Sequence, residues 1–308
     1  MNFNWILRRC GRQGIRIVVC FLIALSATGV LWAKGSDASE RGTHFLWAMK
    51  TEKNTVFFLG SLHVLKRADY PLAAEIEKAY AEAQEVVFET DIDRAKDPAF
   101  QAEMMGLGLY MDGQTLADNV SKKTHKLLQD KILATGLPMA TFERFKPWFL
   151  ALTLSVMELQ RLGFDPNYGI DTHFHNKAKT HGKRISALES PEYQLELFKT
   201  LDRKEQESFL RQTLEELDVI GTMASDMTEA WKTGDASKLD SIIKRSFKDH
   251  RKMYDRFVVQ RNKNWVEVID ELARHDKNVM VIVGAAHLVG KDSVLALLKA
   301  KGHQIEHR

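Results

Sequence analysis

In this chain of 308 residues, 44 basic side chains oppose 41 acidic ones and cysteine occurs only at positions 10 and 20, which leaves room for one large core or two modest ones. Four of the basic residues (Arg8, Arg9, Arg12 and Arg16) and no acid fall within the first 33 positions, so the remainder carries a formal charge of −1 and no cysteine. That balance gives no reason to expect a nucleic-acid partner, and the core must hold without disulfides.

The four arginines precede an apolar stretch from Ile17 to Ala33, softened by Ser26, Thr28 and Gly29. This is the layout of a secretory signal peptide at residues 1–33, which places the mature protein in the periplasm or outside the cell. The alternative is an uncleaved anchor in the inner membrane, because roughly 17–25 apolar residues span a bilayer. Membrane contact is expected only through this segment.

After a polar arm, "FLWAMK" and "TVFFLG" flank the turn "TEKN" and predict a β-hairpin. "RADYPLAAEIEKAYAEAQ" has the apolar spacing of an amphipathic helix, and "EVVFETDID" reads as a buried strand ending in acids. Strand, helix, strand is a βαβ unit. From about 95 to 275 the pattern is mostly helical. It includes a long apolar helix opening near Pro147, a helix over "YGIDTHFHNKAKTHGK", a short strand "RISALES", and amphipathic helices over 191–231 and 236–274. An apolar strand at 278–283, a helix at 291–301 and a last strand, "HQIEHR", close the chain. The expectation is an α/β fold over 45–308: a mixed sheet built from both chain ends, with a large helical insert at about 95–275.

Two strands end in the same way, "VFFLGSLHVL" with Gly60 and His63, and "VMVIVGAAHLVG" with Gly284 and His287. Glu89 closes a third. In an open α/β sheet, ligands bind beyond the carboxyl ends of the strands, so parallel strands would bring the three groups to one rim. Two imidazoles and a carboxylate form a recurrent shell for a divalent metal (Mn, Co and Zn all suit it). The glycines are expected to let the backbone turn sharply off the strand and to remove a side chain where ligand and backbone approach closely. Each Gly-x-x-His alone is weak, since both residues also follow strands for turn chemistry; the pair with a third acid is stronger. His173 and His175, two apart on one helix, face different ways and make a poor metal clamp. His303 and His307 are expected to be solvated.

Taken in order, "LWAMKTEKNTVFFLGSLHVL", "VVFETDID", "KPWFLAL", "YGIDTHFHNKAKTHGKRISALESPEYQLELF", "RFVVQRNKNWVEVI" and "VMVIVGAAHLVGKDSVLALLKAKGHQIEHR" resemble the TraB/PrgY/GumN family, which is related to the Tiki proteins. Ser61 stands where many relatives have Thr. The resemblance implies a fold shared with erythromycin-esterase-like and ChaN-like proteins. It also implies a metal-dependent hydrolase acting on peptides or proteins. The site residues it implies are His63, Glu89 and His287, then Arg261 and Asn262, then Asp171, Glu189 and Arg144.

In that reading the histidines bind metal and Glu89 is either a ligand or the base on a metal-bound water. Arg261 holds a substrate carboxylate or an oxyanion, or is a surface ion pair. Asp171 is also explained as a helix N-terminal acid, and Glu189 as a turn or cap. No cysteine or G-x-S-x-G elbow offers a competing nucleophile. The alternative function is a non-catalytic protein of the same fold that sequesters a peptide or a cofactor such as haem.

Overall fold

The computed structural model describes residues 44–308, so the expected leader lies outside the described residues. They form two compact units. One is helical and comprises Asp93–Leu162 and Pro191–Gly221; the other contains the sheet and comprises residues 44–92, Gly163–Ser190 and Thr222–Arg308.

The strands are β1 (Leu46–Lys50), β2 (Thr55–Ser61), β3 (Glu85–Thr90), β4 (Arg184–Glu189), β5 (Val279–Gly284) and β6 (Ile305–His307). They make one sheet in the order β4-β3-β5-β2-β1-β6. The first four in that order are parallel, and β1 and β6 add an antiparallel edge. The class is therefore α/β with a mixed sheet drawn from both chain ends, as expected. β2 and β3 are parallel as a βαβ unit requires, but β5 is inserted between them. Every residue of β3 and β5 is buried, as suits central parallel strands covered on both faces.

The longer helices are α1 (Ala74–Glu82), α2 (Pro98–Gly108), α3 (Lys122–Thr135), α4 (Pro147–Arg161), α5 (Ile170–Thr180), α6 (Pro191–Lys199), α7 (Arg203–Glu216), α8 (Ile220–Lys232), α9 (Ala236–Ser246), α10 (Gln260–Leu272) and α11 (Val294–Ala300). α1 starts beyond Pro71, because residues 67–69 form a separate 3-10 turn. In the helical unit, Pro147 opens α4, where its missing N–H costs nothing, and Trp148 stacks on Phe198 with ring centroids 4.7 Å apart. In the sheet unit, α5 and α10 both pack against β4.

A polar clasp sets the register at the amino-terminal ends of the parallel strands. Asn278 donates its N–H to Gln84 Oε1 (2.7 Å), and its side-chain oxygen accepts from Thr55 N–H (2.8 Å). The buried Asn54 amide donates to the carbonyls of Leu272 and Lys277, both at 2.9 Å. A one-residue slip would break these bonds, so the opposite ends of β2, β3 and β5 finish in a defined alignment.

Candidate functional site

Each of the four parallel strands delivers one titratable group at its carboxyl end: Glu189 from β4, Glu89 from β3, His287 just after β5 and His63 just after β2. Two helices add groups from their first turns, Asp171 on α5, and Arg261 and Asn262 on α10.

The α5 group reaches His63 because of a glycine. Gly169 lies so close to the loop after β2 that an added Cβ would stand 2.3 Å from the His63 carbonyl oxygen. Ile170 N–H donates to the Leu62 carbonyl (3.0 Å), and Asp171 then places Oδ2 2.6 Å from His63 Nδ1. Burial lowers the His63 pKa, but the charge and hydrogen bond of Asp171, helped by the charge of Glu89, outweigh it and leave the group above its ordinary 6.5. The His63 side chain is 20% exposed.

Arg261 is buried, and all five of its N–H groups are used. Nε and Nη2 donate to Glu189 Oε1 (2.9 and 2.7 Å), Nη2 also to Glu89 Oε2 (2.6 Å), and Nη1 to the Phe257 carbonyl and to His287 Nε2, both at 3.1 Å. Its guanidinium lies 4.6 Å from the centroid of Trp265, whose Nε1–H donates to Glu189 Oε2 (2.7 Å). The reading of Arg261 as a surface ion pair therefore fails, and Glu189 is an acceptor in this network rather than a turn residue.

Burial raises the Glu89 carboxyl, but Arg261 and the neighbouring imidazoles overcome this and hold it down at about 2; Gly284 N–H adds a 2.5 Å bond to Oε1. His287 is wholly buried. That burial, reinforced by the Arg261 charge, lowers it to about 3, so it is neutral. Asn262 Oδ1, 2.6 Å away, takes the Nδ1–H of His287, which leaves Nε2 as the acceptor facing Arg261.

A family model matches residues 45–307, nearly all of the described chain. The chain belongs to the TraB/PrgY/gumN family. It is similar to the uncharacterized protein YbaP of Escherichia coli (strain K12), 24% identical over 266 residues, which are 85% of this chain and 96% of that one. An uncharacterized protein of Treponema pallidum (strain Nichols) is 19% identical over 319 residues, covering 96% of this chain and 94% of that one. No solved structure matches the chain.

Seven of the eight residues drawn from the family resemblance gather in the sheet unit: His63, Glu89, His287, Arg261, Asn262, Asp171 and Glu189. Arg144 belongs to the helical unit, where its guanidinium donates to the Tyr110 carbonyl at 3.0–3.1 Å. Neither Gly60 nor Gly284 adopts a positive φ, although Gly284 does cap the 3-10 turn that leaves β5, so neither position needs glycine's left-handed conformation. Both permit close approach: a Cβ on Gly60 would collide with the Phe45 ring at 2.2 Å, and one on Gly284 would meet Glu89 Oε1 at 2.9 Å. His173 and His175 do diverge, with His175 against Phe88 and His173 beside Glu77. His303 and His307 are not simply solvated. One bonds Asp270 at 2.7 Å and the other stacks on Trp47.

For a divalent metal, the donor types fit better than their arrangement. A cationic guanidinium donates to His287 Nε2 and to Glu89, and the other Glu89 oxygen is taken by Gly284. Among the described residues, no three His, Cys, Asp or Glu side chains are grouped as a metal shell. As arranged, the set fits a buried arginine rather than a dication.

The residue type of Trp265 alone does not single it out. Trp265 stands four positions after Arg261 on one helical face, and that spacing is the signal that points to it.

Proposed function

We propose that this cluster is a hydrolytic active site, with a peptide or protein amide as substrate, in which His63 activates water. The observation that carries this reading is the Asp171–His63 pair. Asp171 accepts from Nδ1–H, which leaves Nε2 with its lone pair, and Nε2 makes no hydrogen bond among the described residues. Of the ionisable groups in the cluster, His63 is the most open to solvent. The charge of Asp171 raises the pKa of this ring above 6.5 and so strengthens it as a base.

In this reading Nε2 takes a proton from water as the oxygen attacks the carbonyl carbon. The Asp171 carboxylate stabilises the imidazolium, and the same proton passes to the departing amine as the C–N bond breaks. Glu89, ionised down to about pH 2 and bonded through both oxygens, is a poor base. It stabilises the positive charge that forms on His63. Arg261 has no N–H left for substrate. It keeps Glu89 ionised and His287 neutral.

A second reading retains the metal of the family resemblance. Each imidazole has Nδ1 tied to an oxygen, by Asp171 in one case and Asn262 in the other. Proteins orient metal-binding imidazoles in this way. His63, Glu89 and His287 would then hold the ion, which would supply a Lewis acid, and Arg261 would have to yield His287 Nε2. The leader-like first 33 residues support a periplasmic or secreted location for either reading. Among the described residues, no helix is long and apolar enough to cross a membrane.

The test combines elemental analysis of the purified mature protein with cleavage of a mixed set of quenched fluorescent peptides, with and without chelator. The expected result is chelator-resistant cleavage, lost in His63→Gln. Stoichiometric metal, with activity abolished by chelator and metal lost in His287→Ala, would replace this reading by the metal one. Tight peptide binding with the peptide recovered intact would make the protein a sequestering one.

A further inference from the structure

Ser61, the last residue of β2, is 2% exposed, and its hydroxyl has no hydrogen-bond partner among the described residues. Buried hydroxyls are rarely left so, because an unmade bond costs free energy. In parallel register Ser61 stands directly beside Gly284 of β5. Neighbours paired in this way project from the same face of a sheet. On that face, a Cβ at Gly284 would lie 2.9 Å from Glu89 Oε1, 3.6 Å from His63 Nε2 and 3.6 Å from His287 Cδ2. The missing side chain thus lets an acceptor oxygen and the Nε2 of the base close on this side of the strand end. The unpartnered hydroxyl stands on the same side, on the next strand.

We propose that Ser61 and Gly284 form the seat of the attacking water, with Ser61 Oγ as the positioning group. This deepens, and rests on, the reading of His63 as the base. A buried water needs two to four polar partners. Here Ser61 Oγ donates to the water oxygen, and the water donates one proton to His63 Nε2 and the other to Glu89 Oε1. Held in this way, its remaining lone pair is free to attack, and the proton transferred on attack is the one already directed at Nε2. Ser61 does not exchange protons with the substrate and forms no bond to it. Its role is to restrict where the water can stand.

The test uses the mature protein with Ser61→Ala and Ser61→Thr, a thermal melt of each, and a high-resolution crystal structure of the wild type and of Ser61→Ala. Loss of orientation should lower kcat by roughly 10–10²-fold in Ser61→Ala with little change in KM. The ascending limb of the pH profile should stay in place, because the base is untouched, and Ser61→Thr should restore most of the rate. Since the hydroxyl satisfies nothing in the fold, Ser61→Ala should melt at the wild-type temperature or above. The wild-type crystal should show an ordered water within hydrogen-bond distance of Ser61 Oγ, Glu89 Oε1 and His63 Nε2, lost or displaced in Ser61→Ala. No ordered water between these groups in the wild type, or Ser61→Ala with unchanged kcat, overturns the proposal. A wild type that cleaves no peptide while holding that water overturns the hydrolase reading and leaves the water seat standing.

Discussion

At the scale of single residues, the site is organised by what Asp171 does to His63. The carboxylate holds Nδ1–H at 2.6 Å and lifts the pKa of the ring above 6.5. A base is active only when deprotonated, so kcat/KM for peptide cleavage should rise with pH through that elevated value. Asp171→Asn keeps the shape and removes the charge. The His63 pKa then falls, so the ascending limb should move to lower pH while the plateau drops by roughly 10²–10⁴-fold. A plateau loss with the limb unmoved would mean that Asp171 acts on something other than His63. This pairing joins residues 108 positions apart. The sequence offers only an acid in the first turn of a helix, for which stabilisation by the helix dipole is a sufficient explanation. Arg261 poses the same difficulty more sharply. Nothing in "QRNKNW" distinguishes a solvated arginine from a buried one with four acceptors, because those acceptors arrive on three separate strand ends and from the preceding turn.

At the scale of elements, the strands and most helices are legible because their apolar periods are strong, and both Gly-x-x-His ends are legible as punctuation on apolar runs. The insertion of β5 between β2 and β3 is not legible, since the strand order depends on pairing across more than 190 positions. The role of the glycines is likewise hidden, because a close approach depends on the element that arrives from elsewhere. Gly169 shows the consequence. It lets the start of α5 close on the His63 carbonyl, and a methyl group there has only 2.3 Å available. Gly169→Ala should push the α5 start outward and stretch the Asp171–His63 bond while leaving the Arg261 network intact. Its pH profile should resemble that of Asp171→Asn, with the limb shifted to lower pH. Its overpacking cost should be about 1–3 kcal/mol in urea unfolding. A profile like the wild type's would show that the loop absorbs the methyl without moving Asp171.

At the scale of the whole molecule, the buried charges link the site to global stability, each with its own sign. Glu89 is ionised in the folded state down to about pH 2, against 4.5 when unfolded. Its contribution is complete above 4.5 and is lost as pH falls towards 2. His287 is held neutral to about pH 3, against 6.5 when unfolded. Below 6.5 the unfolded chain takes up a proton that the folded chain refuses, so stability declines from 6.5 towards 3. His63 runs the other way: with a raised folded pKa, its contribution is full below 6.5 and fades as pH rises through the folded value. Between pH 6 and 5, His287 therefore changes stability while Glu89 is ionised in both states and His63 is mostly charged in both. Replacing His287 by Gln removes that one proton. The slope of unfolding free energy against pH in this window should become shallower by about 1.4 kcal/mol per pH unit, the value for a single proton. Urea titrations of wild type and His287→Gln at half-unit intervals read this directly. The variant will also be less stable at pH 7, since Arg261 Nη1 and Asn262 lose a partner, but that loss is an offset rather than a slope. Parallel lines for the two proteins between pH 6 and 5 would mean that His287 titrates in the folded state near its ordinary value, and that the imidazole facing Arg261 is not held neutral.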